Sequence, residues 1–350
     1  MPDVNVNASQ GGASPAGGRK EHVLITGGLG FIGTHVADGY LAAGHRVTLL
    51  DSMVAAVTDG EWYKGNPNVE IIKLSVDDFF RAGHTLKPYD RVIHAASHVG
   101  PAGILKYVGK LGFEIVQATQ EMVEACITYG KPMVTFSSAE VYGRSGNLAE
   151  SDTIQVPVSY NSRIEYAIAK TLCECIVVNS SKRGLRGIII RPFNVTGPRQ
   201  SSAGGFVMPT FVQQALSAQP LTVFAGGEQT RAFLSATDLC RFLVEFMDKA
   251  IASEYFIFNV GNPDNTISVR NLALRIKEMT GSTSPVVDAD AKKIHGELYE
   301  EALSIHKIPV LHAARSVGWA PRVTLDELIR ETIDFYRSHK DMRALAMAAR

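Results

Sequence analysis

Short apolar runs alternate with longer segments of helical periodicity from about residue 21 onward. The run His-Val-Leu-Ile-Thr at 22–26 predicts a buried strand, and the apolar positions of 31–43 recur at helical spacing. Further strands are predicted at 46–51, 69–74, 91–94, 133–137 and 187–191, and further helices around 110–129 and 160–183. This repeated strand, helix, strand order predicts an α/β fold with a doubly wound parallel sheet, covered on both faces by helices.

The pattern loosens after residue 191, where prolines and glycines interrupt the chain. Helices are expected near 206–218, 236–250, 268–280 and 324–338, with short extended pieces between them. This part should form a smaller mixed α/β lobe that closes over the carboxyl ends of the strands, where ligands bind in open parallel sheets.

Four parts of the chain follow from these patterns. Residues 1–19 are rich in Gly, Ser, Ala, Asn and Pro and are expected to be a disordered leader. Residues 20–191 form the first domain, and 192–340 form mainly the ligand-binding lobe, with some segments returning to the first domain. Residues 341–350 are a tail.

Composition narrows the classes of function. The 35 basic and 35 acidic residues cancel, which argues against nucleic acid or an anionic membrane as the main partner. No apolar run approaches the ~20 residues of a membrane span, and the start lacks the apolar core of a signal peptide, so a cytoplasmic protein is expected. The four cysteines fit neither a zinc pattern nor a disulfide framework, so no metal is expected and the thiols should be reduced.

A glycine-rich turn joins the first predicted strand to the first helix. Gly27 allows a tight turn, Gly30 lets the backbone approach a pyrophosphate, and Gly33 permits close packing of the helix. Phe31 and Ile32 open that helix, whose N-terminal amides would face the phosphates. The turn predicts a dinucleotide site in a Rossmann-type domain.

Asp51 ends the second predicted strand, 24 positions after Gly27. A carboxylate at that place can bind ribose hydroxyls and repel a 2′-phosphate, which favours NAD over NADP. The alternative is a tight turn followed by an incidental aspartate.

Tyr166 and Lys170 stand four residues apart in the predicted helix 160–183, so both lie on one face. A tyrosine with the ordinary pKa near ~10 is a poor base, and a neighbouring cation is expected to lower that pKa. Such a tyrosine can take a proton from an alcohol while a nicotinamide accepts a hydride from the same carbon. The alternative is an ordinary pair on a helix surface.

Several ordered motifs together resemble the extended short-chain dehydrogenases/reductases of the nucleotide-sugar epimerase, dehydratase and decarboxylase group. The resemblance runs from about His22 to Tyr336. Its landmarks are GGLGFIG at 27–33, HAA at 94–96, FSSAEVYG at 136–143, YAIAK at 166–170, RPFNVTGPRQ at 191–200, RAFLSATD at 231–238, FNVGNPDNTISV at 258–269 and VGWAP at 317–321.

The resemblance implies a catalytic triad of Ser138, Tyr166 and Lys170. Tyr166 would be the general base, Lys170 would also hold the nicotinamide ribose, and Ser138 would orient the hydroxyl that is oxidised. For Ser138 a simple cap at the strand end is the alternative.

Further binding roles follow from the same resemblance. His94, Ala95 and Ala96 are expected to pack closely on NAD, with His94 a hydrogen-bonded structural histidine rather than a catalyst. Asn194 and Arg231 are expected to hold the diphosphate of a nucleotide sugar, for which an arginine fork is suited.

Arg199 is a weaker candidate for the same task, because it could tie its loop to a carboxylate. Dimerisation through the helices near 110–129 and 160–183 is likewise implied by the resemblance alone.

The choice of reaction depends on a few positions. The 4,6-dehydratases of the group typically carry an aspartate where this chain has Ala139, which disfavours dehydration. Glu140 is retained as in decarboxylases acting on UDP-glucuronate, and Arg163 also resembles that branch. Lys307 stands near the place of the decarboxylase arginine, so a carboxylate clamp would have to use Lys307, which has charge without the fork, or another residue. The Asn-containing stretch that is common in epimerases before the fourth helix is replaced here around 115–119.

The sequence therefore predicts a nucleotide-sugar enzyme, favouring a UDP-sugar, that works through a 4-keto intermediate with recycled NAD. Decarboxylation of a UDP-hexuronate of the UDP-glucuronate type is the first hypothesis. The alternative is 4-epimerisation of a UDP-hexose or UDP-hexuronate. A nucleotide-sugar dehydratase and a catalytically silent NAD-binding sensor remain further alternatives.

Overall fold

A computed structural model describes residues 19–98, 100–156, 161–295 and 305–339. The expected leader, apart from residue 19, and the expected tail lie outside the described residues. The strands are β1 His22–Thr26, β2 Arg46–Leu50, β3 Val69–Ile72, β4 Arg91–His94, β5 Met133–Phe136, β6 Gly146–Leu148, β7 Gly187–Pro192, β8 Val195–Thr196, β9 Leu221–Phe224, β10 Thr230–Ala232, β11 Leu234–Ser235, β12 Ile257–Val260, β13 Thr266–Ser268, β14 Val286–Ala289 and β15 His306–Pro309.

The helices surround these strands and include one short π-helical segment, Phe242–Phe246. They are α1 Phe31–Ala42, α2 Val76–Arg81, α3 Gly100–Lys106, α4 Leu111–Tyr129, α5 Ser162–Ser180, α6 Val207–Leu216, α7 Ala236–Arg241, α8 Met247–Ile251, α9 Val269–Thr280, α10 Ala291–His295, α11 His312–Ser316 and α12 Leu325–Ser338.

The main sheet has seven parallel strands in the order β12-β7-β5-β4-β1-β2-β3. The chain runs outward from β1 to β3 and then returns to β4 on the other side, so the strand order reverses between β1 and β4. Ligands of such sheets bind outside the carboxyl ends of the strands at this reversal. The predicted doubly wound fold is confirmed.

Most predicted elements of the main sheet agree with the structure to within a few residues. The predicted strand 46–51 ends at Leu50, and the predicted helix 160–183 runs as Ser162–Ser180 followed by one 3₁₀ turn. The sequence patterns missed β12, which returns from the second lobe to become the seventh strand of the main sheet. They also predicted a single helix at 236–250, where the structure has α7, the π-helical segment and α8 in succession.

A second sheet forms one wall of the smaller lobe, in the order β13-β10-β15-β6. Its strands β10 and β15 are parallel, and Arg231 lies directly opposite Lys307. Side chains directly opposite each other in a sheet emerge on the same face. The sheet thus brings two cations together that are 76 positions apart in sequence.

Two apolar layers pack on the main sheet and a third fills the smaller lobe, between α6, α9 and α12. Among the helices in the described ranges, none is both long enough and apolar enough to span a bilayer.

Candidate active site

A cleft of about 1920 Å³ opens at the carboxyl edge of the main sheet, between the two lobes. Small-molecule sites are typically ~300–1,000 Å³, so the cleft has room for a dinucleotide and a second ligand side by side. The predicted site residues that line it are Gly27, Gly30, Phe31, Ile32, Gly33, Asp51, Ala95, Ala96, Ser138, Glu140, Arg163, Tyr166, Lys170, Asn194 and Arg231. His94, Arg199 and Lys307 are absent from this lining.

The glycine turn is as crowded as a dinucleotide site requires. Gly27 has a φ of +66°, and a Cβ there would lie 3.0 Å from the Cα of Ala96. A Cβ on Gly33 would lie 2.1 Å from the carbonyl oxygen of Gly27, so only glycine fits between turn and helix. No side chain of the described residues caps the N-terminus of α1, whose first residues line the cleft. Those amides form a cradle suited to a pyrophosphate.

Asp51 lies at the rim of this cradle. Its carboxylate accepts hydrogen bonds from the amides of Leu29 (3.0 Å) and Met53 (2.8 Å). Burial raises the pKa of Asp51, and those amide bonds oppose the rise. A carboxylate offers about four acceptor sites, so the group can brace the turn and still accept ribose hydroxyls.

His94 is a structural residue, as the sequence predicted. Its Nδ1 lies 2.9 Å from the hydroxyl of Thr26 and its Nε2 lies 3.4 Å from that of Thr119. Burial and the charge of Lys170 lower the pKa of His94 to about 3, so the imidazole is neutral. It supports the cleft from behind.

Tyr166 and Lys170 lie on one face of α5, whose start is capped by Asn161 at the amides of Arg163 and Ile164. The Lys170 ammonium donates to the carbonyl of Phe136 at 2.8 Å and lies 5.8 Å from the centre of the Tyr166 ring. Both side chains are buried and border the cleft.

The structure corrects the expectation that Lys170 lowers the pKa of Tyr166. Burial raises the pKa of Tyr166 above its usual range, and the group that opposes this rise is Ser138, through a hydrogen bond to the phenol. The ammonium is instead turned toward the end of β5. With its pKa raised in this way, the Tyr166 phenol is protonated at neutral pH.

Ser138 follows β5 and forms the cap that was the alternative to its expected catalytic role. Its Oγ accepts from the amide of Glu140 at 3.2 Å and so caps the 3₁₀ turn Ala139–Tyr142. The same side chain bonds the Tyr166 phenol. The cap therefore fixes the hydroxyl beside the tyrosine.

Glu140 is surrounded by positive charge. It forms an ion pair with Lys307, and the nearby cations Arg163 and Arg231 act in the same direction. Although burial opposes ionisation, these cations lower the pKa of Glu140 to about 2. The carboxylate is therefore ionised at neutral pH.

Lys307 departs from the sequence expectation. It is buried, pairs with Glu140, and borders a small secondary pocket on the far side of that residue rather than the main cleft. Its charge is committed to Glu140, so it is not placed as a direct clamp for a ligand carboxylate. Arg163 borders both the main cleft and the secondary pocket, so it is better placed than Lys307 to bind a ligand carboxylate.

Asn194 and Arg231 meet at the opposite wall. Asn194 has a φ of 41°, and its side-chain amide donates to the carbonyl of Ala232 at 3.2 Å. Arg231 donates to the carbonyls of Thr230 (2.8 Å) and Ile305 (3.1 Å). Both residues line the cleft, and a guanidinium, which carries five N–H donors, is a group suited to an anion.

Arg199 also departs from the ligand-binding role that the sequence offered for it. Its guanidinium pairs with Asp38 of α1 at 2.6 Å and lies over the ring of Trp62 at 5.0 Å. It ties its loop to α1, which is the alternative that the sequence left open, and does not reach the cleft lining.

Glu174 and Arg191 were not predicted from the sequence, and both are buried next to the cleft residues without lining the cleft. Glu174 follows Lys170 by one further helical turn and binds Arg191 of β7 through two hydrogen bonds. The repeated four-residue spacing of Tyr166, Lys170 and Glu174 was the available signal.

Comparison with known proteins agrees with this geometry. The sequence profile of the NAD dependent epimerase/dehydratase family matches residues 23–261. The chain is 30% identical over 334 residues to a UDP-N-acetyl-alpha-D-glucosaminuronate decarboxylase from Bacillus cytotoxicus, covering 91% of this chain and 98% of the relative. It is 28% identical over 331 residues to UDP-glucuronic acid decarboxylase 1 of Xenopus tropicalis, covering 93% and 74% respectively.

Among solved structures, a UDP-N-acetylglucosamine 4-epimerase from Methanobrevibacter ruminantium superposes with a TM-score of 0.77 at 25% identity, covering 92% of this chain and 99% of that one.

Proposed function

Because the chain belongs to the NAD dependent epimerase/dehydratase family, we propose that it decarboxylates a UDP-hexuronate of the UDP-glucuronate type. The observation that carries the proposal is the ionised Glu140 held among three cations. Two relatives that match most of the chain are named as decarboxylases of UDP-linked uronates, which agrees with it.

The charge of the site favours an anionic sugar. Arg163 and Arg231 line this end of the cleft and Lys307 lies behind Glu140, so three cations surround a single carboxylate and the region is net positive. A UDP-hexuronate brings a diphosphate and a sugar carboxylate, whereas a UDP-hexose brings the diphosphate alone. Arg231 suits the diphosphate, and Arg163 suits the sugar carboxylate.

The residues present fit NAD as the cofactor. Gly27 and Gly33 leave the space that a pyrophosphate needs beside the uncapped start of α1, and Asp51 can accept the ribose hydroxyls. When bound, NAD would accept a hydride from sugar carbon 4 and later return it.

The chain's own residues then manage protons and charge. Because burial favours the protonated phenol, Tyr166 must first lose its own proton to solvent. The phenolate then takes the proton of the 4-hydroxyl, which Ser138 orients. The resulting 4-keto acid loses carbon dioxide by cleavage of the bond between carbons 5 and 6, and the electron pair moves onto the carbon 4 oxygen. Carbon 5 then takes a proton from water, and Tyr166 returns its proton to oxygen 4 when carbon 4 is reduced again. With a pKa near 2, resting Glu140 acts as a hydrogen-bond acceptor and not as an acid.

A 4-epimerase is the second candidate, since it shares the opening oxidation and since the 4-epimerase from Methanobrevibacter ruminantium is structurally similar over most of the chain. Dehydration is disfavoured because Ala139 is buried at the place where dehydratases carry an acid. A silent sensor is disfavoured because Ser138, Tyr166 and Lys170 all border the cleft together.

Incubation of the purified protein with UDP-glucuronate, followed by NMR, separates these candidates. Carbon dioxide and a UDP-pentose support decarboxylation, an axial 4-hydroxyl supports epimerisation, and no turnover of nucleotide sugars favours the sensor. Tyr166→Phe should lower kcat by about 10²–10⁴-fold. Tyr129→Phe, which removes a hydroxyl at the exposed end of α4, is the matched control and should remain active.

We also propose that the protein is a homodimer through the outer face of α4 and α5. This face exposes apolar side chains, among them Phe113 at 73% exposure together with Ile168 and Leu172. Large exposed apolar patches commonly mark interfaces, and the same face on a second copy would complete an isologous contact.

A further inference from the structure

One face of α5 carries Tyr166, Lys170 and Glu174 at four-residue intervals. The end of β5 holds two of them in succession. Lys170 donates to the carbonyl of Phe136, and the hydroxyl of the next residue, Ser137, donates to the carboxylate of Glu174. The helix is thus fixed to the strand at two consecutive turns.

Arg191 of β7 binds the same carboxylate from the other side. Its Nε lies 2.8 Å from Oε1 of Glu174 and its Nη2 lies 2.6 Å from Oε2, a bidentate arrangement. Both side chains are buried, and Nη1 of Arg191 has no hydrogen-bond partner among the described residues. The guanidinium also lies 4.8 Å from the centre of the Tyr142 ring.

Tyr142 continues the network into the second sheet. Its hydroxyl donates to Oδ1 of Asn259 at 2.7 Å, and the amide of Asn259 donates to the carbonyls of Leu148 (2.8 Å) and Val310 (3.0 Å). Tyr142 ends the 3₁₀ turn that carries Glu140. Leu148 belongs to β6, which pairs with the strand that carries Lys307.

Buried ion pairs are weak contributors to stability, because desolvation of both charges offsets their attraction. A pair that also leaves a guanidinium nitrogen unsatisfied is poorer still. A gain in stability therefore does not account for the presence of the Glu174–Arg191 pair. Its position does, because the pair joins the helix of Tyr166 to the turn of Glu140.

We propose that the Glu174–Arg191 pair is a positioning device that fixes Lys170 and Tyr166 relative to Glu140. The inference rests on the proposed function, because it assumes that these three side chains act on one ligand. Glu174 and Arg191 act through the residues they hold and are not catalytic themselves.

The electrostatics agree with this role. Burial lowers the pKa of Lys170, and Cys173 and the carboxylate of Glu174 both oppose this fall. Removal of the pair should therefore let Lys170 lose its proton at a lower pH, in addition to loosening α5.

The test replaces both partners with methionine, Glu174→Met together with Arg191→Met, so that no buried charge is left unpaired. The matched control is Arg275→Met with Asp326→Met, which removes an equally bidentate but more exposed pair between α9 and α12. Thermal unfolding, kcat, KM and the pH profile of kcat on UDP-glucuronate are measured for both.

The buried double variant should unfold at a temperature close to that of the control, while kcat falls by roughly 10- to 100-fold. The alkaline limb of its pH profile should move to lower pH. A kcat within about twofold of the control with an unchanged pH profile would overturn the proposal. If the double variant does not fold, Arg191→Lys, which keeps the charge but loses the fork, takes its place and the same fall in kcat is required.

NAD affinity gives a readout that does not depend on turnover. Calorimetry across pH should show weaker NAD binding for the buried double variant than for the control at alkaline pH, because Lys170 borders the cofactor half of the cleft. If the wild-type protein does not convert UDP-glucuronate but this difference persists, the proposed function fails and the positioning role stands. Equal NAD affinities at all pH values would overturn the positioning role.

Discussion

Breaking the Glu140–Lys307 ion pair should lower the free energy of unfolding by an amount that depends on which partner is removed. The Lys307 side chain is 5% exposed and the Glu140 side chain 31% exposed. Glu140→Gln strands a deeply buried ammonium beside Arg231, and removal of one partner of a buried pair costs about 3–5 kcal/mol. Lys307→Met leaves a less buried carboxylate that still has Arg163 and Arg231 nearby, so its cost should be smaller.

The stability loss expected for Lys307→Met follows from the lowered pKa of Glu140. A fall of the Glu140 pKa from 4.5 to about 2 corresponds to about 3 kcal/mol at neutral pH. Three cations share this effect and water reaches part of the carboxylate, so about 1–2 kcal/mol should be attributable to Lys307. The double variant, Glu140→Gln with Lys307→Met, should lose less free energy of unfolding than the sum of the losses of the two single variants.

The assay is urea unfolding of the four proteins at several pH values. Because the folded-state pKa of Glu140 is depressed, its stabilisation is present above about pH 4.5 and is lost as the pH falls toward about 2. The difference between wild type and Lys307→Met should shrink across that window. The exposed pair Glu61–Lys64 serves as control and should show a coupling of at most ~1 kcal/mol. Additive losses at Glu140 and Lys307, within about 0.5 kcal/mol, would refute the reasoning.

Four further outcomes are expected. Tyr166→Phe should lower kcat by about 10²–10⁴-fold while NAD affinity, measured by calorimetry, stays unchanged; full activity would contradict the role of the phenol. Gly33→Ala should abolish NAD binding because its Cβ would lie 2.1 Å from a carbonyl oxygen, whereas Gly112→Ala, with its nearest contact at 3.4 Å, should bind NAD normally. Arg231→Met should weaken UDP binding by roughly 10- to 100-fold and spare NAD, and equal losses for both ligands would contradict its placement. Phe113→Asp should convert a dimer to a monomer in sedimentation experiments, and a persisting dimer would exclude this face as the interface.

The sequence sufficed for six of the seven strands of the main sheet because each of its early units is local. A short apolar run, a glycine turn and a helix of regular periodicity lie within about 30 residues of one another, as at 22–51. The family confirms the doubly wound fold and the NAD expectation that the turn and Asp51 supported.

The smaller sheet could not be predicted in this way. Its strands are three or four residues long, and β10 pairs with β15 across more than 70 positions. Nothing local signals such a pairing, so the meeting of Arg231 and Lys307 was beyond sequence patterns.

The corrections at the site have similar causes. Motif position placed Arg199 and Lys307 near the ligand, but side-chain direction depends on which charged partner the fold offers, Asp38 in one case and Glu140 in the other. Helical spacing placed Lys170 beside Tyr166, but burial, which spacing does not reveal, controls the pKa of the phenol.

The site is proposed to remove the carboxyl group of a UDP-hexuronate after oxidation at carbon 4. UDP-glucuronate labelled with ¹³C at carbon 6 can be incubated with the NAD-loaded protein in D₂O and followed by NMR. Labelled carbon dioxide should be released, and the UDP-pentose should carry deuterium at carbon 5. A product that retains the label at carbon 6, with an inverted 4-hydroxyl or with no change at all, would contradict this proposal.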